Sequence, residues 1–385
     1  MNFDNGKEAF VGERRIRRWN FKAKKMEQEK GNVLRDRYGF AVNTAFISLY
    51  HQFANSLASE EEERCEKWDS WISYIQAEGS LGIGLEEETD DATCADEAPL
   101  QLLERALSHY DATSRGTRDK RTRSGEPGTP KTAIVLQQLR SLVQMGVPMH
   151  KRAQFWKIFL NTESAVVTGE YEAFSNFVES VRNGDMSVLD NFDGPDGNTT
   201  KGEGSVAISM SPGDLMEWLI QIDKDLHRTF PDHPAMDEHG RDSLRRILGA
   251  FVVRNPDIGY CQGLNFLAAA FLLFFDEEDA YWCFIIMVEE LLSGYFDPMM
   301  IAPQVDALSF SHVLKQENPT LASHLESLEV DIPTAISGWL LVAFMNTLPM
   351  ETCLRVWDVL FFEKSPVVLF RVGLALVDIY SQVCA

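Results

Sequence analysis

The sequence predicts an all-α fold, and three observations carry that expectation. From Ala133 onward apolar residues recur at three- and four-residue steps, the period of an amphipathic helix. No stretch shows the strict apolar–polar alternation of a half-buried strand. The periodic segments follow one another through short loops, the organisation of a multi-helix bundle. A chain of 385 residues can bury a large core and, by length alone, roughly two or three domains.

Residues 1 to about 30 are basic, with Arg14, Arg15, Arg17, Arg18, Lys22, Lys24 and Lys25 interleaved with Ile16, Trp19 and Phe21. Two readings stand. One is a solvated helix with an aromatic docking edge, and the other is contact with an anionic membrane surface. Residues 44–77 read as helical, with Trp68, Trp71 and Ile72 at helical spacing after the acidic run Glu60 to Glu63. The glycine-rich stretch from Gly79 to Gly84 has neither the spacing nor the preceding strand of a dinucleotide loop. Acidic residues follow from Glu86 to Glu97, then a short helical pattern from Leu100 to Tyr110 and a Ser/Thr/Gly/Pro-rich basic stretch from Ala112 to Thr132. The organisation expected is therefore an N-terminal region over 1–77, a largely disordered linker over 78–132 and a helical domain over 133–385.

Within that domain, Leu139 and Leu142 lead to Gly146-Val147-Pro148, and the next helix carries Arg152, Phe155, Trp156 and Phe159. A disordered insertion is expected at about 183–212, rich in Gly, Asp, Asn, Ser and Thr. Its Asp190, Asp193 and Asp196 do not fall at the alternate positions of a calcium loop, and Pro195 breaks that register. Ser211-Pro212 opens a helix in which Leu215, Trp218, Leu219, Ile222 and Leu226 share a face. That helix gives way to a loop at Arg228, and Phe230 is expected to be extended because Pro231 follows it. Asn255, Pro256, Asp257 and Gly259 make a turn, after which an apolar helix is expected from about Tyr260 with Gln262 in its first turn. Further helices are expected over 264–275, 279–292, 303–315, 319–328, 334–347, 350–361 and 366–381.

The formal net charge of −22 argues against nucleic acid as the main partner, since phosphate binding needs a basic surface. Six scattered cysteines without metal-binding spacing read as reduced thiols of a cytosolic protein. The histidines at 227, 233 and 239 lack the spacing of helical metal ligands, so no metal site is expected. The apolar run from Gly263 to Phe275 is too short for a bilayer span, which takes about 20 residues.

Two segments carry the functional expectation. The first is I-x-x-D-x-x-R, formed by Ile222, Asp225 and Arg228. The second is Y-C-Q-G with a nearby asparagine, formed by Tyr260, Cys261, Gln262, Gly263 and Asn265. As a pair they closely resemble the signature of TBC domains, the GTPase-activating domains for Rab (Ypt) GTPases. Arg152 and Trp156 match that family's R-x-x-x-W element, and Arg37-Tyr38-Gly39-Phe40 resembles a short element that precedes the domain in some members. The resemblance runs from about Gly146 to the C-terminus, with Gly294-Tyr295-Phe296, Gln304-Val305-Asp306, Trp339 and Leu354 to Asp358 similar to later family segments.

The resemblance implies a multi-helix TBC fold preceded by a partly helical, partly disordered region. It implies an arginine finger, Arg228, and a glutamine finger, Gln262, supplied in trans to a Rab GTPase in its GTP form. Asp225 would orient Arg228, while Ile222, Tyr260, Cys261, Gly263 and Asn265 would support the two loops; Arg152 and Trp156 would hold the fold. GTP and Mg²⁺ would be bound by the partner, so this chain needs no cofactor of its own. The setting implied is vesicle trafficking in the cytoplasm, peripheral on endomembranes through the Rab or the basic N-terminus. Two alternatives remain open: a catalytically weak or inactive TBC module acting as a Rab-binding adaptor, and a purely structural helical scaffold. The last helix, apolar on most sides from Val367 to Ile379, ends sooner than family domains usually do. An apparently truncated C-terminus and an exposed apolar patch are expected there.

Overall fold

A computed structural model of the chain describes residues 33–80, 130–189 and 211–384. The basic N-terminal run, the acidic segment, the short helical pattern over 100–110 and most of the insertion lie outside the described residues. Those described form fourteen α-helices and no strand; the only pairing of extended backbone among them is a single bridge between Arg35 and Ala41.

The helices are α1 (Ile47–Ser80), α2 (Pro130–Met145), α3 (Arg152–Leu160), α4 (Thr162–Ala165), α5 (Glu170–Arg182), α6 (Pro212–Leu226) and α7 (Glu238–Arg254). They continue with α8 (Leu264–Leu272), α9 (Glu277–Ile286), α10 (Ile301–Glu317), α11 (Pro319–Ser327), α12 (Ile332–Leu341), α13 (Met350–Glu363) and α14 (Val367–Cys384). Several starts are set by short polar side chains that accept orphan amide hydrogens. Ser211 accepts from Gly213 N, Asp237 from Gly240 N and Asn318 from Leu321 N. Proline occupies the first turn of α6, α11 and α12, where its missing N–H is not needed.

Two expected boundaries shift. α1 extends to Ser80, and α2 already begins at Pro130 because a proline is compatible with a first helical position. The expected insertion is ordered at its start and its end. After α5 the Asp185 carboxylate accepts from Ser187 N at 3.1 Å and stabilises a short turn, Met186–Leu189, while Pro212 already belongs to α6.

The core is built on α8, which is apolar on almost every side and correspondingly buried from Leu264 to Leu272 with only Phe266 half-exposed. It packs against α6, α7 and α9. The Trp156 ring of α3 lies 5.1 Å from Phe274 and 5.0 Å from Phe361, and Phe271 stacks on Phe361. α13 packs on α2, α3 and α14, and α10 on α11 and α12. α14 buries Val368 and Leu369 and leaves Val367, Ile379 and Tyr380 exposed.

One ion pair is fully inside this core. Arg152 and Asp358 both have 0% side-chain exposure, and Arg152 Nε lies 3.1 Å from Asp358 Oδ1. Arg152 Nη2 donates to Oδ2 at 3.2 Å. Trp156 Nε1 and the amide of Val147 complete the carboxylate's shell at 2.7 and 2.8 Å. The remaining guanidinium nitrogen, Nη1, donates to the Tyr38 hydroxyl, which donates in turn to Glu351. A buried charge pair is tolerable only when its hydrogen-bonding capacity is met in this way.

Candidate functional site

The site begins with the register of α6. Leu215, Leu219, Ile222 and Leu226 are buried, with Trp218 half-covered. Burying that face also draws in Asp225, whose side chain is only 1% exposed, while Arg228, just past the helix end, stays 48% exposed. Arg228 Nη2 donates to Asp225 Oδ1 at 2.7 Å. That hydrogen bond raises the basicity of a guanidinium that is already permanently charged. The Tyr260 hydroxyl donates to Asp225 Oδ2 at 2.8 Å and Gln221 Nε2 donates to Oδ1 at 3.2 Å. Burial, and then the bond to Asp225, push the Tyr260 phenol upward, so it remains a donor.

A second connection runs through Thr229. Its hydroxyl donates to the Asp225 carbonyl at 2.7 Å and accepts from Asn265 Nδ2 at 2.7 Å. Asn265 Oδ1 accepts from the amide of Gly263 at 3.2 Å. Asp225–Tyr260 and Thr229–Asn265–Gly263 therefore tie the loop of Arg228 to both sides of Gln262, which is exposed.

The expected helix start at Tyr260 is not observed. α8 opens at Leu264, and Tyr260 to Gln262 form an irregular turn before it. The cause is backbone conformation: Gly259 has φ +65° and Gly263 has φ +113°, values a helix cannot include. A side chain at Gly259 would also reach to 2.4 Å from Trp218 Cε2, so the turn lies directly against α6. Cys261 is half-buried, and burial pushes its thiol up, away from the thiolate form.

Phe230 also departs from expectation. It has φ +44°, a left-handed value, instead of the extended conformation favoured before proline. Such a conformation costs about 1–3 kcal/mol and persists where surrounding contacts over-determine it. Here the ring is held at 5.0 Å from Phe40, edge-on, and at 5.8 Å from Phe266.

The structure thus brings together Ile222, Asp225, Arg228, Tyr260, Cys261, Gln262, Gly263 and Asn265. Arg152 and Trp156 stand apart, in the buried centre with Asp358. Sequence reasoning missed Gln221, Thr229 and the aromatic packing around Phe230. Gln221 lies one helical turn before Asp225, a spacing at which side chains meet, and Thr229 carries a hydroxyl at a helix end. The contact of Phe230 with Phe40 left no local signal. Among the described residues no group of three or more His, Cys, Asp or Glu is placed to hold a metal ion. No described helix is long and apolar enough to cross a membrane.

Residues 149–384, more than half of the chain, match the Rab-GTPase-TBC domain family. The chain belongs to that family. It is 32% identical over 243 residues to TBC1 domain family member 2B of Xenopus tropicalis, covering 62% of this chain and 23% of that protein. It is 37% identical over 172 residues to TBC1 domain family member 10A of Mus musculus, covering 44% of this chain and 34% of that one. The match to mouse Carabin is also 37% over 172 residues, 44% of this chain and 38% of that one. The chain therefore spans well under half the length of these relatives. Among solved structures, the Chlamydomonas flagellar RabGAP TBC domain superposes with a TM-score of 0.50 at 23% identity, over 74% of this chain and 81% of that one. The TBC fold is thereby shared.

Proposed function

We propose that this chain is a GTPase-activating protein for a Rab-type small GTPase, acting through Arg228 and Gln262. The observation that carries the reading is the continuous network around Asp225. It holds a half-exposed guanidinium by a buried carboxylate and reaches both flanks of an exposed Gln262. Family membership supports the Rab-directed role.

The chemistry suits the task. Hydrolysis of GTP builds charge on the transferring phosphoryl group and needs an oriented water. A guanidinium cannot lose its proton and presents a planar fork of donors to phosphate oxygens. The glutamine amide offers an NH₂ donor and a carbonyl acceptor together, as required to hold a water and contact the GTPase at once. Asp225 and Tyr260 fix where Arg228 starts, so less ordering remains when the complex forms. On this reading GTP and Mg²⁺ are carried by the GTPase, and the work is done at the endomembrane where that GTPase sits.

The test is multiple-turnover GTP hydrolysis across a panel of GTP-loaded Rabs, with the whole chain added in catalytic amount. Acceleration of at least one member supports the reading. Tight binding to a GTP-loaded Rab without any acceleration overturns it in favour of an adaptor.

A further inference from the structure

We propose that the Arg35–Phe40 segment is a positioning brace for the arginine loop, acting on turnover and not on capture of the GTPase. The inference rests on Arg228 being the finger. It concerns residues outside the 149–384 stretch that carries the family match.

The segment is a tight turn. The Asp36 carboxylate accepts from the amides of Tyr38 and Phe40, each at 2.9 Å, and Gly39 has φ +92°. It meets the chain immediately after Arg228 at three points. Arg35 Nη1 donates to the carbonyl of Asp232 at 2.8 Å while also bonding Gly39 O at 2.9 Å. His233 Nδ1 accepts from the amide of Ala235 at 3.0 Å, which places the ring proton on Nε2. That Nε2–H donates to the Tyr38 carbonyl at 2.6 Å. The Phe40 ring lies 5.0 Å from Phe230 and 4.5 Å from the His233 ring. A β-carbon at Gly39 would stand 2.9 Å from His233 Nε2, so the two segments approach as closely as backbone and ring allow.

Phe230 explains why the loop needs support. Its left-handed backbone lies two residues after Arg228 and ahead of a proline, where local sterics oppose it. Phe40, Phe266 and His233 are the rings packed on it. At its far side the brace is anchored, because the Tyr38 hydroxyl accepts from Arg152 and donates to Glu351 in the buried centre. The direction in which Arg228 leaves α6 is therefore fixed from two sides: by Asp225 from within, and by Arg35–Phe40 through the loop that follows.

The test uses the full chain carrying Arg35→Ala, Phe40→Ala or Phe40→Tyr, with two readouts. In steady-state hydrolysis with the responsive Rab, Arg35→Ala and Phe40→Ala should lower turnover about tenfold while KM stays within about twofold. Phe40→Tyr, which keeps the ring, should restore most of the rate. Amide hydrogen exchange over residues 228–236 should speed up in both alanine variants, with α8 unchanged. Exchange needs no GTPase, so it decides whether the segment braces the loop even if no Rab responds. If Phe40→Ala lowers protection throughout the molecule, Arg35→Ala, which removes only two polar contacts, carries the test. Unchanged exchange over 228–236 overturns the proposal, as does a loss confined to KM or an unchanged turnover despite faster exchange.

Discussion

Arg228 and Gln262, as the proposed fingers, act upon one transition state. Arg228→Ala should lower stimulated GTP hydrolysis by roughly 10³-fold or more, and Arg228→Lys should fail nearly as badly because a point charge does not reproduce the fork. Gln262→Ala should also be severe, and the double variant should lose little beyond either single one. Both side chains are exposed or half-exposed, so the melting midpoints should stay near that of the parent. Full activity in Arg228→Ala would remove the dual-finger assignment. Asn265 poses a different question, since it is buried and set back from the surface that would meet the nucleotide. Asn265→Ala leaves the Thr229 hydroxyl without its donor and the Gly263 amide without its acceptor. A loss of about 1–3 kcal/mol in stability is expected for orphaning such groups. Turnover should fall because the two loops lose one of their two ties; urea unfolding and hydrolysis rates read the two effects separately.

At the scale of elements, the turn before α1 and the loop between α6 and α7 that it meets carry two titrations of opposite sense. Burial, aided by the charge of Arg35, holds His233 down at about 4, against an ordinary value of 6.5. The unfolded chain therefore takes up this proton before the folded one does. The stability contributed by neutral His233 is complete above about pH 6.5 and is lost as pH falls toward 4, in all about 3 kcal/mol. Asp36 runs the other way. Burial, with Glu351 nearby, pushes its carboxyl up to about 6, so the folded state binds the proton first and gains stability as pH falls from about 6 toward 4. The two contributions offset each other in the parent chain. Asp36→Asn keeps an oxygen for the Tyr38 and Phe40 amides but removes the second titration. Its melting midpoint should therefore fall more steeply than the parent's between pH 6.5 and 4. Parallel curves would show that Asp36 does not titrate as stated. Ring NMR should find His233 neutral, with its proton on Nε2, down to about pH 5.

The whole molecule is closed by the buried Arg152–Asp358 pair, which joins α3 to α13 and, through Tyr38, to the segment before α1. Removing one partner leaves an uncompensated buried charge, so Arg152→Ala should lower unfolding free energy by about 3–5 kcal/mol in a urea titration. Replacing both charges with apolar residues, as in Arg152→Met with Asp358→Leu, should recover only part of that loss. The Trp156 Nε1–H and the Val147 amide would still be left without an acceptor. Arg152→Ala takes only one of the two partners of the Tyr38 hydroxyl and leaves the contacts of Arg35, Phe40 and the Tyr38 carbonyl with the loop after Arg228, so activity per folded molecule should change far less than stability. A collapse of turnover with unchanged urea midpoint would contradict this division.

The helices were legible in the sequence because their causes are local. The 3.6-residue period, the Ser211-Pro212 start and the apolar circumference of α8 all act within a turn or two of chain. Arg228 and Gln262 were legible too, as paired motifs whose resemblance to a family pointed to a role that spacing by itself did not show. The tertiary structure decided the rest. It sets Phe230 left-handed against the local preference before proline, because Phe40 and Phe266 pack on its ring. It moves the start of α8 to Leu264, because Gly263 takes φ +113°, a backbone no helix contains, in the turn that packs against α6. It joins Thr229 to Asn265 and Arg35 to Asp232. The first pair is buried and the second lies at the surface, and in both which partner is available depends on how distant segments close on one another. Periodicity along the chain records which face of a helix is buried, but not which residue it meets there.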